Sequence, residues 1–191
     1  MTVETVDRPA AVRRALRALV AQRGFHGASM SAVAAEAGVA TGTAYTHYAS
    51  KDELVVAAYL ETKAELAKGA TTGLDPAAAA PERFRAMWIA AYRHLSENRD
   101  HALFLLQVDA SPYKGTAHET AMEGSDDDPL VAAAAAPDIA ARLLPLPLEV
   151  IYELGLAPAV RLAAAGEELG DDELTTVADA CWRAISLPPG R

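Results

Sequence analysis

SMSAVAAEAGVATGTAYTHYASK, residues 29–51, decides how this chain folds. Ser29 carries a hydroxyl that can accept an orphan N–H at the start of a helix. Met30, Val33, Ala34 and Ala37 follow at intervals of 3, 4 and 7 residues, an apolar stripe along one helical face. Gly38 supplies the left-handed conformation in which helices commonly end, and Val39 can plug the corner beyond it. Thr41 to Tyr48 read as a very short second helix presenting hydroxyls, an imidazole and phenols. Ser50-Lys51-Asp52-Glu53 is a capping box that opens a third helix. Two short helices around a glycine turn form a helix-turn-helix unit, whose second helix enters the DNA major groove.

Upstream, Asp7 before Arg8-Pro9 is a helix start with proline in the first turn. Val12, Ala15, Leu16, Leu19 and Val20 give that helix its buried stripe, and Gly24 ends it. Phe25 is expected to plug the core of the three-helix unit. Downstream, the helix opened by Ser50 continues through Leu54, Ala57, Ala58, Glu61 and Ala64 towards Lys68. Such a helix can carry a shift from the rest of the chain as a rigid rod.

The run VAAEAGVATGTAYTHYASKDEL, residues 33–54, follows about ten residues after RGFHGAS begins to close the first helix. Its AGV, the glycine three residues later, Tyr45, Tyr48, and Lys51 before Asp52-Glu53-Leu54 resemble the N-terminal domain of the TetR family of transcriptional repressors. The resemblance implies an all-α fold: a three-helix DNA-binding domain over residues 1–51 and a larger effector-binding and dimerisation domain over 52–191. It places Thr41, Thr43, Tyr45, Thr46, His47, Tyr48 and Lys51 at DNA. Thr43 and Thr46 would read bases, whereas Tyr45, Tyr48 and Lys51 would clamp phosphates. Tyr48 is equally readable as a core residue, because the family often has phenylalanine there. Two departures stand out: Ala40 replaces the usual Ser or Thr, and Thr41 the usual basic or polar residue.

Composition agrees with a helical chain. Of 191 residues 51% are apolar, much of it alanine, the strongest helix former. No window alternates as a strand would, and none is apolar for the length of a membrane span. The lone Cys181 has no partner for a disulfide or a metal pair, and a cytoplasmic location is expected. Net charge is −9, but residues 1–51 hold six Lys and Arg against three acids, a local excess of +3. Cations gathered beside the motif suit phosphate contact.

The remainder reads as helices over about 81–97 and 100–110, a polar loop over 111–129, a helix from 129 broken at Pro137, and a final pair. The first of that pair spans 148–165 with a kink at Pro158; the last starts at a cap on Asp171. Ile151, Leu154, Leu174, Val177, Cys181 and Trp182 form its apolar stripes and, by the resemblance, the interface of a homodimer; packing inside one monomer is the other reading. A palindromic double-stranded operator suits a two-fold dimer. The resemblance also implies a small-molecule effector that releases the DNA, with Trp88, Tyr92, Phe104, Gln107, Met122 and Tyr152 as candidate pocket residues. No HExxH, Gly-rich phosphate loop, GxSxG elbow or Cys-His arrangement is present, so neither catalysis, a metal nor a cofactor is expected. A constitutive, effector-independent DNA-binding protein is the alternative.

Overall fold

The computed structural model describes residues 7–188, so the first six and last three residues of the expected 1–51 and 52–191 regions lie outside it. The fold is all-α. Its helices are α1 (Arg8–Arg23), α2 (Met30–Glu36), α3 (Thr41–His47), α4 (Lys51–Thr71), α5 (Ala80–Glu97), α6 (Arg99–Asp109) and α7 (Lys114–Glu123). They continue with α8 (Pro129–Ala134), α9 (Pro137–Ala140), α10 (Leu148–Gly155), α11 (Ala157–Ala165) and α12 (Asp171–Ile185). Among the described residues the β content is one isolated antiparallel bridge, Leu143 to Ser186.

The helix ends follow the caps in the sequence. Asp7 Oδ1 accepts from Ala10 N at 3.2 Å, and Ser29 Oγ from Ala32 N at 3.2 Å. Ser50 Oγ accepts from Glu53 N at 3.1 Å, while the Glu53 carboxylate reaches back to Ala49 N at 2.8 Å. Gly38, φ 68°, provides the left-handed turn between α2 and α3.

Three of the expected helix bounds differ. Residues 111–129 are not a loop throughout: they contain α7, whose apolar stripe reduces to one fully buried residue, Ala117, too little for a periodicity to register. The 148–165 segment is two helices rather than one kinked helix, because Pro158 lies in the first turn of α11, after a break at Leu156. Asp171 begins α12 but does not cap it; the cap position is Gly170, whose amide donates to Glu173 Oε2 at 2.9 Å.

By packing, the chain forms two compact units, Met1–Lys63 with Leu103–Glu123, and Ala64–Ala102 with Gly124–Arg191. The division falls inside α4 and α6 rather than at residue 51. The first unit buries Val12, Leu16, Val20, Val33, Leu54 and Val55 completely. Phe25 does not enter the three-helix core. It is only half-buried, in the single turn after Gly24, and its ring meets Phe104 of α6 (centroids 6.3 Å) and Tyr113 (4.8 Å).

In the second unit α5 is the central helix, packed against α11 and α12, and α10 also packs on α12. Trp88 and Leu95 are wholly buried, and Phe84 tilts against Trp182 at 5.2 Å. Arginines of α5 tie the layer at its rim: Arg83 to Asp138 at 2.6 Å and Arg85 to Asp179 at 2.7 Å.

Candidate nucleic-acid interface

Helix α3 is seven residues long, and its inner face consists of Ala44 and, just past the helix end, Tyr48. Those two residues, four apart, seat α3 on α2 and α1. The rest of its surface faces outward. Tyr45 is 51% exposed, Thr41, Gly42 and Thr46 are exposed, and Thr43 and His47 are half-buried. The Thr46 hydroxyl donates back to Gly42 O at 2.9 Å, which leaves its methyl group and lone pairs on the open side. Ala40 makes no side-chain cap, so the first amides of α3 have no side-chain acceptor from it.

Tyr48 is corrected. At 6% exposure it is core, with its hydroxyl accepting from Arg13 Nη1 at 2.6 Å and donating to Pro9 O at 3.3 Å. A side chain so placed has no surface for a phosphate. The basic excess is corrected with it: Arg13 and Arg17 both point at Glu61, at 2.6 and 2.5 Å. Arg8, Arg14 and Arg23 remain exposed.

Glu61 is the residue that sequence reasoning missed, although it had a signal, a carboxylate on the apolar stripe of α4. Burial pushes its carboxyl upward, but the hydrogen bonds from Arg13 and Arg17 outweigh that and hold it below the ordinary carboxylate value. The same hydrogen bond raises Arg13 above an ordinary guanidinium.

Lys51 is half-buried at the start of α4. Its ammonium donates to the Phe25 carbonyl and stands 5.8 Å over the Phe25 ring. Burial lowers its pKa, with Asp52 opposing.

The six expected pocket residues are divided between the two units. Trp88 and Tyr92 are core of the second unit, stacked with rings 3° from parallel. Their polar atoms are satisfied by backbone, Trp88 Nε1 on Gly155 O at 3.0 Å and the Tyr92 hydroxyl on Glu167 O. Tyr152 is half-buried in the same unit. Phe104 is buried beneath Phe25, Gln107 is exposed near Gly24, and Met122 is 53% exposed, all three in the first unit. Two open grooves occur. One, of about 670 Å³, has walls from Gly69, Ala86, Ile89, Arg93, His94 and Asp171. The other, of about 500 Å³, lies among Asp52, Val56, Leu60, Tyr113 and Thr116. Neither takes a wall from the six.

The expected interface stripe also divides. Leu174, Cys181 and Trp182 are buried within their own chain, so they have no area left to offer a second copy. Burial also raises the Cys181 thiol above its ordinary pKa. Leu154 is 42% exposed, and Ile151 and Val177 are half-buried. On the same helix as Leu154 and Ile151, Leu148 stands 64% exposed and Val150 38%, exposed apolar residues that the sequence did not single out.

Among the described residues no helix is long and apolar enough to cross a membrane, and no three His, Cys, Asp or Glu are grouped to hold a metal.

The comparisons fall on this geometry. The family described as bacterial regulatory proteins, tetR family, matches residues 12–58, and a tetracyclin repressor-like C-terminal domain matches residues 80–186. A TetR-family transcriptional regulator from Haemophilus influenzae is 25% identical, covers 95% of this chain and 97% of its own, and superposes with a TM-score of 0.77. One from Vibrio parahaemolyticus is 26% identical over 95% of this chain and 100% of its own, with a TM-score of 0.73. A third, from Shewanella, shares the fold at a TM-score of 0.79 and 23% identity, covering 95% and 99%. No curated protein matches the chain.

Proposed function

The chain belongs to the TetR family of bacterial transcriptional regulators, and from that premise we propose that it represses transcription as a homodimer on a palindromic operator until a small-molecule effector releases it. One observation carries the reading. Helix α3 buries only Ala44 and the following Tyr48, and leaves Thr41, Tyr45 and Thr46 exposed and Thr43 and His47 half-exposed. Thr43 and Thr46 suit base edges, by hydroxyl or by contact with a thymine methyl. Tyr45, His47 and Lys51 suit phosphates; Lys51 has further N–H donors beyond the one given to Phe25.

A helix of seven residues spans too few base pairs to find one site in a genome, and a two-fold dimer doubles the reading. The exposed Val150 and Leu154 of α10, about 40° apart around the helix, support an interface there, since exposed apolar residues gathered on one helix face mark interaction surfaces. Effector release rests on the family alone. It requires an effector with different affinity for the DNA-competent and DNA-free conformations.

The test is selection of duplexes from a random pool, followed by footprinting across a salt series. A palindromic site bound far more tightly than a scrambled duplex supports the reading. Equal binding to both, collapsing with salt, would replace it with backbone contact alone and so with the constitutive alternative.

A further inference from the structure

In the first unit one carboxylate on α4 holds two arginines of α1. Glu61 Oε1 accepts from Arg13 Nη2 at 2.6 Å, and Oε2 from Arg17 Nη1 at 2.5 Å. Arg13 gives its other terminal nitrogen to the Tyr48 hydroxyl at 2.6 Å, and that hydroxyl donates to Pro9 O at 3.3 Å. Tyr48 is the residue on which α3 ends. An unbroken chain of hydrogen bonds therefore runs from α4, through α1, to the exit of the recognition helix. A guanidinium is a planar fork with donors in a fixed plane, so the position of Glu61 sets the direction in which Arg13 meets Tyr48.

This cluster is a poor device for stability alone. The Nε atoms of Arg13 and Arg17 are buried without a partner, and desolvating such charges offsets much of what their attraction returns. It does two other things. It ties the residue on which α3 ends to α1, and it pairs two cations of α1 with an internal carboxylate.

We propose that Glu61 is a positioning residue that sets the sequence selectivity of α3, acting through the Arg13–Tyr48 link; the proposal rests on the DNA-reading function above. Glu61 touches no base. Its effect appears as the ratio of affinities for a chosen site and a scrambled duplex.

The experiment starts from the site that the wild-type full chain selects out of a random duplex pool. Glu61→Gln, Tyr48→Phe and the double variant are then titrated with that site and with a scrambled duplex, alongside thermal melts. We expect each single variant to lose selectivity by roughly tenfold, and the double variant to lose no more than the worse single one, because both cut one chain. Glu61→Gln should also steepen the salt dependence, since it releases the part-exposed Arg13 guanidinium to a phosphate, while Tyr48→Phe, which leaves Arg13 on Glu61, should not. Unchanged selectivity in Glu61→Gln overturns the proposal, as do losses that multiply in the double variant. A melt that falls while the ratio holds means that the cluster is only structural. Should Glu61→Gln fail to melt cooperatively, the same cycle with Arg13→Lys decides, because lysine keeps the charge but lacks the fork. A wild type that selects no site defeats the DNA-reading function itself, a result distinct from one in which only the variants behave as wild type.

Discussion

The ammonium of Lys51 donates to the carbonyl of Phe25 and lies 5.8 Å above the centroid of the same residue's ring. One side chain thereby ties the first turn of α4 to the turn between α1 and α2. Lys51→Ala should lower stability by about 1–2 kcal/mol, the sum of a hydrogen bond and a cation–π contact. The slope of log affinity for DNA against log salt should also drop by about 0.9 if one phosphate contact goes with it. Chemical denaturation and a salt titration separate the two effects, and Lys51→Arg should retain the slope.

Tyr45 is 51% exposed on α3, whose buried residue is Ala44. Tyr45→Ala should leave the melting curve within about 0.5 kcal/mol of wild type. Operator affinity should fall roughly tenfold, the worth of a hydrogen bond to a charged group. Tyr45→Phe isolates the hydroxyl: affinity equal to wild type would show that the ring, rather than the O–H, makes the contact.

Acid should loosen the first unit through Glu61. Its folded pKa lies below the unfolded value, because Arg13 and Arg17 outweigh the cost of burial. The unfolded chain then binds more protons, so this stabilisation is complete above the ordinary carboxylate range, about pH 4–5, and is lost as pH falls through the folded value. Denaturant titrations from pH 7 downward should show a loss that Glu61→Gln lacks; parallel curves for the two proteins would exclude it.

The proposed interface and the core are separable on the last helices. Leu148→Glu and Leu154→Glu change exposed positions, so the fold should persist while the dimer dissociates, as read by sedimentation or light scattering. Trp182→Ala removes a side chain 6% exposed that packs on Phe84. It should cost about 3–5 kcal/mol of stability instead. A Leu148→Glu protein of unchanged mass would remove α10 from the interface.

Gly69 is required by its neighbour. A Cβ there would stand 2.7 Å from His94 Nδ1, so Gly69→Ala should destabilise by about 1–3 kcal/mol despite the better helix propensity of alanine. Gly42→Ala is the control, since a Cβ at that position meets nothing within 4 Å. Equal melting temperatures for the two variants would show that His94 yields at no cost.

Local signals were legible in the sequence. Asp7, Ser29, Gly38 and Ser50 act over three or four residues, and each marks a helix boundary where it was read. What could not be read was which of several apolar faces meet. The stripe Leu174, Cys181 and Trp182 has the same period whether it packs on α5 or on a second copy; nothing local distinguishes the two. Tyr48 and Arg13 sit 35 residues apart, and no pattern in either helix announces that Arg13 will donate to the Tyr48 hydroxyl. Glu61 came nearest to being readable, since a carboxylate on an apolar stripe needs a cation. Helix α7 was hidden for the opposite reason, its single buried alanine leaving no period to see.

Phe25 gives these boundaries a practical meaning. Its ring belongs to the N-terminal helix-turn-helix region of the sequence, yet it packs against Phe104 and Tyr113. Hybrid regulators made by joining one protein's reader to another's sensor at residue 51 would give that ring a foreign lid. A workable splice would have to transplant the later half of α6 and all of α7 with the reader, as two separate stretches of chain.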